Sequence, residues 1–206
     1  MTVVRRIGAL ARHAVLFEVA IYVALWRWVA RRPAVPPLAT PIPYSRIAAP
    51  VLWLFIWGSA IEVVAVDLVV HHFGWTTVRI PLLAVGIWSV VWMVGLLAAM
   101  RTRPHILTPT DLRLRAGLRA ELVLPLAAVD GVTTRETELS STIKSYEIID
   151  DTLLVGVSGR TNVQLTLCGP TTLLTPKGAV QVERVGMWVD EPRPVAALLR
   201  QTVGVS

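Results

Sequence analysis

Two long apolar runs separated by nine residues constrain this chain more than any other feature. Val51–Val70 is twenty residues with two acids, and Ile80–Met100 is twenty-one residues with no charge. A bilayer core about 30 Å thick needs about 20 helical residues, so each run is long enough to span it. The connection, His71–Arg79, is short, which makes the pair an antiparallel hairpin over 51–100. Trp53, Trp57, Trp75, Trp88 and Trp92 lie in or beside the runs, as tryptophan does near membrane interfaces. Pro81 is expected in the first turn of the second helix, where a missing N–H costs nothing.

Composition agrees. Hydrophobic residues make up 54% of the 206 and charged residues 17%, against about 25% charged in ordinary soluble domains. The charge is uneven. Residues 1–105 carry ten Arg against three acids, +7, whereas residues 106–206 carry eight Arg and two Lys against eleven acids, −1. The basic excess therefore flanks apolar runs, and does not form the basic patch of a nucleic-acid binder. Arg101 and Arg103 at the end of the second run place the following domain in the cytoplasm by the positive-inside trend.

Ala14–Ala30 is a further membrane helix within an N-terminal segment, 1–32. It contains Glu18 and Arg27 and is bracketed by Arg5, Arg6, Arg12 and by Arg31, Arg32. Either a third span or a helix lying in the interface fits, and loop charges do not choose between them. Residues 33–50 hold six of the fourteen prolines, the composition of a stiff extended connection.

Beyond Pro104 the period changes. Leu112-Arg-Leu-Arg115 alternates into a turn at Gly117, and Val129–Thr134, Thr152–Val157, Asn162–Cys168 and Val180–Val189 are short runs with Gly, Pro or Asp between them. Period two over several short segments reads as antiparallel sheet. Pro192 and Pro194 ahead of Val195–Arg200 mark a short closing helix. Residues 105–206 are thus expected to fold alone. Cys168, the only cysteine, is expected buried in a strand.

This order of elements resembles the bacterial pleckstrin-homology-like (PH-like) membrane proteins. The residues that carry the resemblance are Ile106–Gly117, a strand into a Gly turn; Glu121–Val129, similar to the family's second strand; Asn162–Pro170; and Val189–Pro192. The stretch Thr137–Asp151 departs from the pattern as a lengthened connection. The resemblance implies an α+β membrane protein with a partly open antiparallel β-barrel capped by a C-terminal helix, in a bacterial inner membrane. It implies no one activity.

Four groups of side chains are candidates for function. Glu62 lies near the middle of its run, where a charge costs at least about 2.5–3.5 kcal/mol. It is either a functional carboxylate or a protonated one bonded to a neighbour such as Ser59 or Ser89. Glu18 is a second intramembrane carboxylate. Asp67, near the outer end, is 140° around a helix from Glu62, so the two do not share a face. His71-His72 are adjacent, which is the wrong spacing for a helical metal site, so no metal is expected. Arg113 and Arg115 share a strand face, with Arg119 just past the turn. They are placed either to meet anionic lipid headgroups or to form a solvated face paired with Glu121. Catalytic signatures and cofactor fingerprints are absent, and all four His (13, 71, 72, 105) lie in the apolar half or at its edge.

The expectation is therefore a non-enzymatic, multi-pass membrane protein without cofactors. It presents a cytoplasmic PH-like domain as a scaffold for another membrane protein or for membrane-surface organisation. Weak headgroup contact is part of this reading, and nucleic acid is not. The competing expectation is a component of a transport or proton-coupled complex that uses Glu62.

Overall fold

The structure, a computed structural model, describes residues 2–118, 120–142, 144–175 and 178–204. The chain divides into two compact units, Met1–Arg32 with Ala49–Ala99, and Pro33–Ala48 with Met100–Ser206.

The first unit is helical: α1 (Thr2–Val29), α2 (Ala49–His72) and α3 (Thr76–Thr102). Among the described residues, α2 and α3 are the helices long and apolar enough to cross a membrane. Only 11% and 22% of their most apolar stretches are buried, unlike the core helix of a soluble protein. The hairpin turn is tighter than expected. Gly74, at φ +69°, ends α2. Its N–H bonds the His71 carbonyl and the Trp75 N–H bonds that of Val70, the Schellman pairing that satisfies a helix end. Because α3 starts at Thr76, Pro81 lies inside the helix rather than in its first turn. It withholds the bond to the carbonyl four residues before it.

Both neighbours of α3 come close at glycines. A Cβ on Gly86 would sit 2.6 Å from Val63 Cγ2 of α2, and one on Gly95 would collide with Ile21 Cγ2 of α1. Phe17 and Trp92 are in ring contact, Glu18 bonds Trp92 and Ile21 meets Gly95. These pairs differ by 74 or 75 in residue number, so α1 runs parallel to α3. With 28 and 27 residues, the two helices are nearly equal in length. The expected α1 of 14–30 begins instead at Thr2.

The second unit holds two sheets and a helix. β1 (Thr40–Ile42), β2 (His105–Leu107), β3 (Asp111–Ala116) and β4 (Ala120–Pro125) form an antiparallel sheet in the order β1-β2-β3-β4. A single 3-10 turn, Leu126–Ala128, leads into the second sheet. That sheet contains β5 (Val129–Glu138), β6 (Tyr146–Ile149), β7 (Thr152–Val155), β8 (Arg160–Thr175) and β9 (Gly178–Met187), in the order β5-β8-β9-β7-β6. The expected barrel is corrected here. The sheets do not close on one another, and β7 pairs with β9 in parallel, not antiparallel. The closing helix is present as α4 (Pro192–Val203), with Pro at its start and Gly204 in the left-handed region at its end.

Alternation places Leu112, Leu114, Leu122, Leu124, Val163, Leu165, Val185 and Met187 in one core, which Val195, Ala196 and Leu199 of α4 complete. Burying a side chain of this size contributes about 1.5–3 kcal/mol. β8 runs past Pro170, which lacks a donor, at the register irregularity between Thr166 and Thr171. Cys168 lies in β8 as expected but is exposed, not buried.

The segment 33–50 is more than a connection. β1 pairs with β2, Ile42 and Tyr44 are each 1% exposed, and the Asp190 N–H bonds the Pro43 carbonyl. The second unit is therefore assembled from chain on both sides of the hairpin, and does not begin at residue 105.

Candidate functional site

The hairpin places Asp67 and Arg79 six residues either side of Phe73, and they meet. Arg79 Nε and Nη2 donate to the two carboxylate oxygens of Asp67 at 2.7 and 2.9 Å, the two-pronged geometry a guanidinium favours. Arg79 Nη1 also lies 3.2 Å from His71 Nδ1. Asp67, near the outer end of its run, is thus paired. Arg79 was not among the sequence candidates, although its mirror position across the turn was a readable signal.

The pair closes one end of a groove of about 290 Å³ between α2 and α3. Its polar lining includes Ser59, Glu62 and Ser89, and its apolar lining includes Val63, Val66, Leu82 and Val85. Glu62 and Asp67 both border it despite the 140° between them. Val63 faces Gly86 of α3, which turns Asp67 toward α3 and leaves Glu62 on the open flank. Glu62 is exposed and makes no hydrogen bond or ion pair with any described residue. Ser59, one expected partner for it, donates to Met93 Sδ at 3.6 Å.

Glu18 is engaged. Its two carboxylate oxygens accept bonds from the Tyr22 hydroxyl at 2.8 Å and Trp92 Nε1 at 3.1 Å, and Trp88 Nε1 donates to Tyr22 Oη at 2.7 Å. The carboxylate is thus the acceptor in a polar contact that joins α1 to α3. The structure does not bring Glu18 together with Glu62. Trp92 and Gly95, which meet α1, are on the side of α3 away from Gly86.

In the second unit Arg113 and Arg115 share a face of β3, as expected, and Glu121 lies directly across from Arg115 in the ladder. Both pair with Glu121, but only Arg113 keeps a solvated side chain. Arg115 is 8% exposed, donates from Nε to Glu121 at 3.1 Å and from Nη1 to the Ala34 carbonyl at 2.7 Å. It is an internal brace that ties β3 to the 33–48 segment, and its burial withdraws it from contact with an anionic surface. Arg113, half-exposed and 3.6 Å from Glu121, remains available. Arg119 lies outside the described residues.

His105, expected at the edge of the apolar half, belongs to the β unit. It is fully buried in β2 and stacks on Tyr44 with ring centroids 4.5 Å apart. Nδ1 accepts the Arg115 backbone N–H at 2.9 Å, so Nε2 carries the proton and donates to the Trp188 carbonyl at 3.0 Å. Burial pushes its pKa down to about 4; the bond to Trp188 opposes this and the Arg115 charge adds to it. Burial likewise raises the Tyr44 hydroxyl to about 12. Both are neutral core groups, and the imidazole, with both nitrogens satisfied, ties β2 to β3 and to Trp188 just beyond β9.

No family model matches the chain, and no curated protein or solved structure matches it.

Proposed function

We propose that this chain is a non-enzymatic integral membrane protein whose helices hold a cytoplasmic, PH-like β unit for docking another membrane protein. The observation that carries the reading is connectivity. The chain passes between its helical and β units three times, and β1 lies between α1 and α2 in sequence. Such a unit is anchored at several points, and tethering of this kind makes even weak contacts effective. The partner-facing surfaces are the sheet edges β4 and β6, where Val123 and Ile148 are exposed and strand addition is possible. Arg113 adds weak contact with anionic headgroups. On this reading α1 is a third span in a bacterial inner membrane, because its residues 17–22 meet α3 in the parallel sense.

The test is photo-crosslinking in cells from Val123 and Ile148. One discrete adduct with a membrane protein from at least one edge is expected. The absence of any adduct from both edges would overturn docking through the sheets.

The competing reading, a component of a transport or proton-coupled complex, draws on the unpartnered Glu62. A docking scaffold tolerates Glu62→Gln with its adducts unchanged, whereas a proton carrier loses its activity.

A further inference from the structure

The groove in the hairpin has a specific charge balance. Asp67 is neutralised by two bonds from Arg79, so the groove as a whole carries one uncompensated negative group, Glu62, together with the hydroxyls of Ser59 and Ser89. An unpaired carboxylate in an apolar setting is neutralised either by a proton or by a counter-charge. From the groove outward, Val66, Leu82 and Val85 are exposed beside it, so access is lateral, through the apolar surroundings of the helices. A cation arriving by that route must carry an apolar body. At about 290 Å³ the space is at the lower end of small-ligand sites. It is too small to seat another helix, which is about 10–12 Å across with its side chains.

We propose that the groove binds a lipophilic primary ammonium ion. Its headgroup sits on Glu62, with the two serines as further hydrogen-bond acceptors, and its apolar chain lies along Val63, Val66, Leu82 and Val85. The proposal rests on reading α2 and α3 as membrane spans with Glu62 functional, and it replaces a bound proton with a bound organic cation. Specificity follows from the chemistry. An alcohol of equal length supplies no charge, and a carboxylate of equal length is repelled.

The experiment uses the full chain in lipid nanodiscs with mono-dansylated 1,6-diaminohexane, whose second amine stays free as a primary ammonium, as probe. Saturable binding of one probe per chain is expected, displaced by octylamine and not by octanol or octanoate. Glu62→Gln should weaken binding about tenfold or more, the loss of one charge-assisted contact, while Glu18→Gln leaves it unchanged. Leu82→Trp, which fills the groove and keeps Glu62, should also abolish it, so the result does not hang on how well one variant folds. Equal affinity in Glu62→Gln, or equal competition by octanol, would overturn the proposal. Failure of the probe to bind while a hydrophobic carbodiimide still modifies Glu62 would overturn it too. That outcome would leave the proton-coupled reading standing, whereas loss of both signals would remove Glu62 from function altogether.

Discussion

Gly86 and Gly95 stand nine residues apart on α3 and so point to opposite sides of it, one receiving Val63 of α2 and the other Ile21 of α1. Each glycine lets a β-branched side chain approach the helix backbone, as small residues do where apolar helices pack. The two contacts make α3 the middle helix of the three.

Enlarging either glycine should separate one helix without disturbing the other. Gly95→Val should weaken α1 packing by about 1–3 kcal/mol, the usual cost of overfilling a packed contact. Ile21→Ala in the same chain should recover much of it. A disulfide trap between Ser59→Cys and Met93→Cys, in a Cys168→Ser background, should still form in Gly95→Val and report an intact hairpin. Loss of that trap would show that the contacts are not independent.

The second unit should not fold from Arg103 onward. A chain of residues 103–206 lacks β1, Ile42 and Tyr44 from the core, and the Ala34 carbonyl that accepts from buried Arg115. An unsatisfied buried donor of this kind costs about 1–3 kcal/mol, more when charged. Joining residues 33–48 to 100–206 through a flexible linker should restore a cooperative unfolding transition. Equal stability of the two chains, measured by urea titration, would refute the assignment.

Acid should destabilise the second unit through His105. Its folded pKa of about 4 lies below the ordinary 6.5, so between those values the unfolded chain binds more protons. Stability is then full above pH 6.5 and falls as pH drops toward 4, by about 3 kcal/mol in all. His105→Gln should flatten that part of the profile. An unchanged slope in the variant would assign the acid sensitivity elsewhere.

Arg79→Ala should lower the thermal stability of the helical unit by leaving Asp67 alone, and the exchange Asp67→Arg with Arg79→Asp should recover it. If the exchange is no better than the single change, the pair is not acting as a salt bridge.

Topology offers a direct check on α1. In a Cys168→Ser background, cysteine at Thr76 and an epitope at the N-terminus should both be reached from outside whole cells, while cysteine at Ser158 should not. Labelling of Thr76 with an inaccessible N-terminus would place α1 in the interface.

Much of this architecture is local and was therefore legible. The length of an apolar run reports what surrounds a helix, which is why α2 and α3 stand out. Alternation reports which side of a strand faces the core, which is why β3, β5 and β9 do. Even the Asp67–Arg79 pair follows from symmetry about a tight turn, and the Arg115–Glu121 pair from the turn at Gly117. What the sequence by itself determined is the set of faces each element must hide. Which element hides which face is a choice between distant segments, and only the tertiary structure decided it. Prolines made 33–50 read as a strap, yet Ile42 and Tyr44, two residues apart, found a sheet edge to cover. Period two cannot tell a parallel from an antiparallel neighbour, so the β7–β9 pairing was invisible. Arg115 looked solvent-facing because charge usually is, until a carbonyl 81 residues away accepted its bond. Glu18 and Glu62 look alike in an apolar run. Packing gave one of them tryptophan and tyrosine donors and left the other facing an open groove.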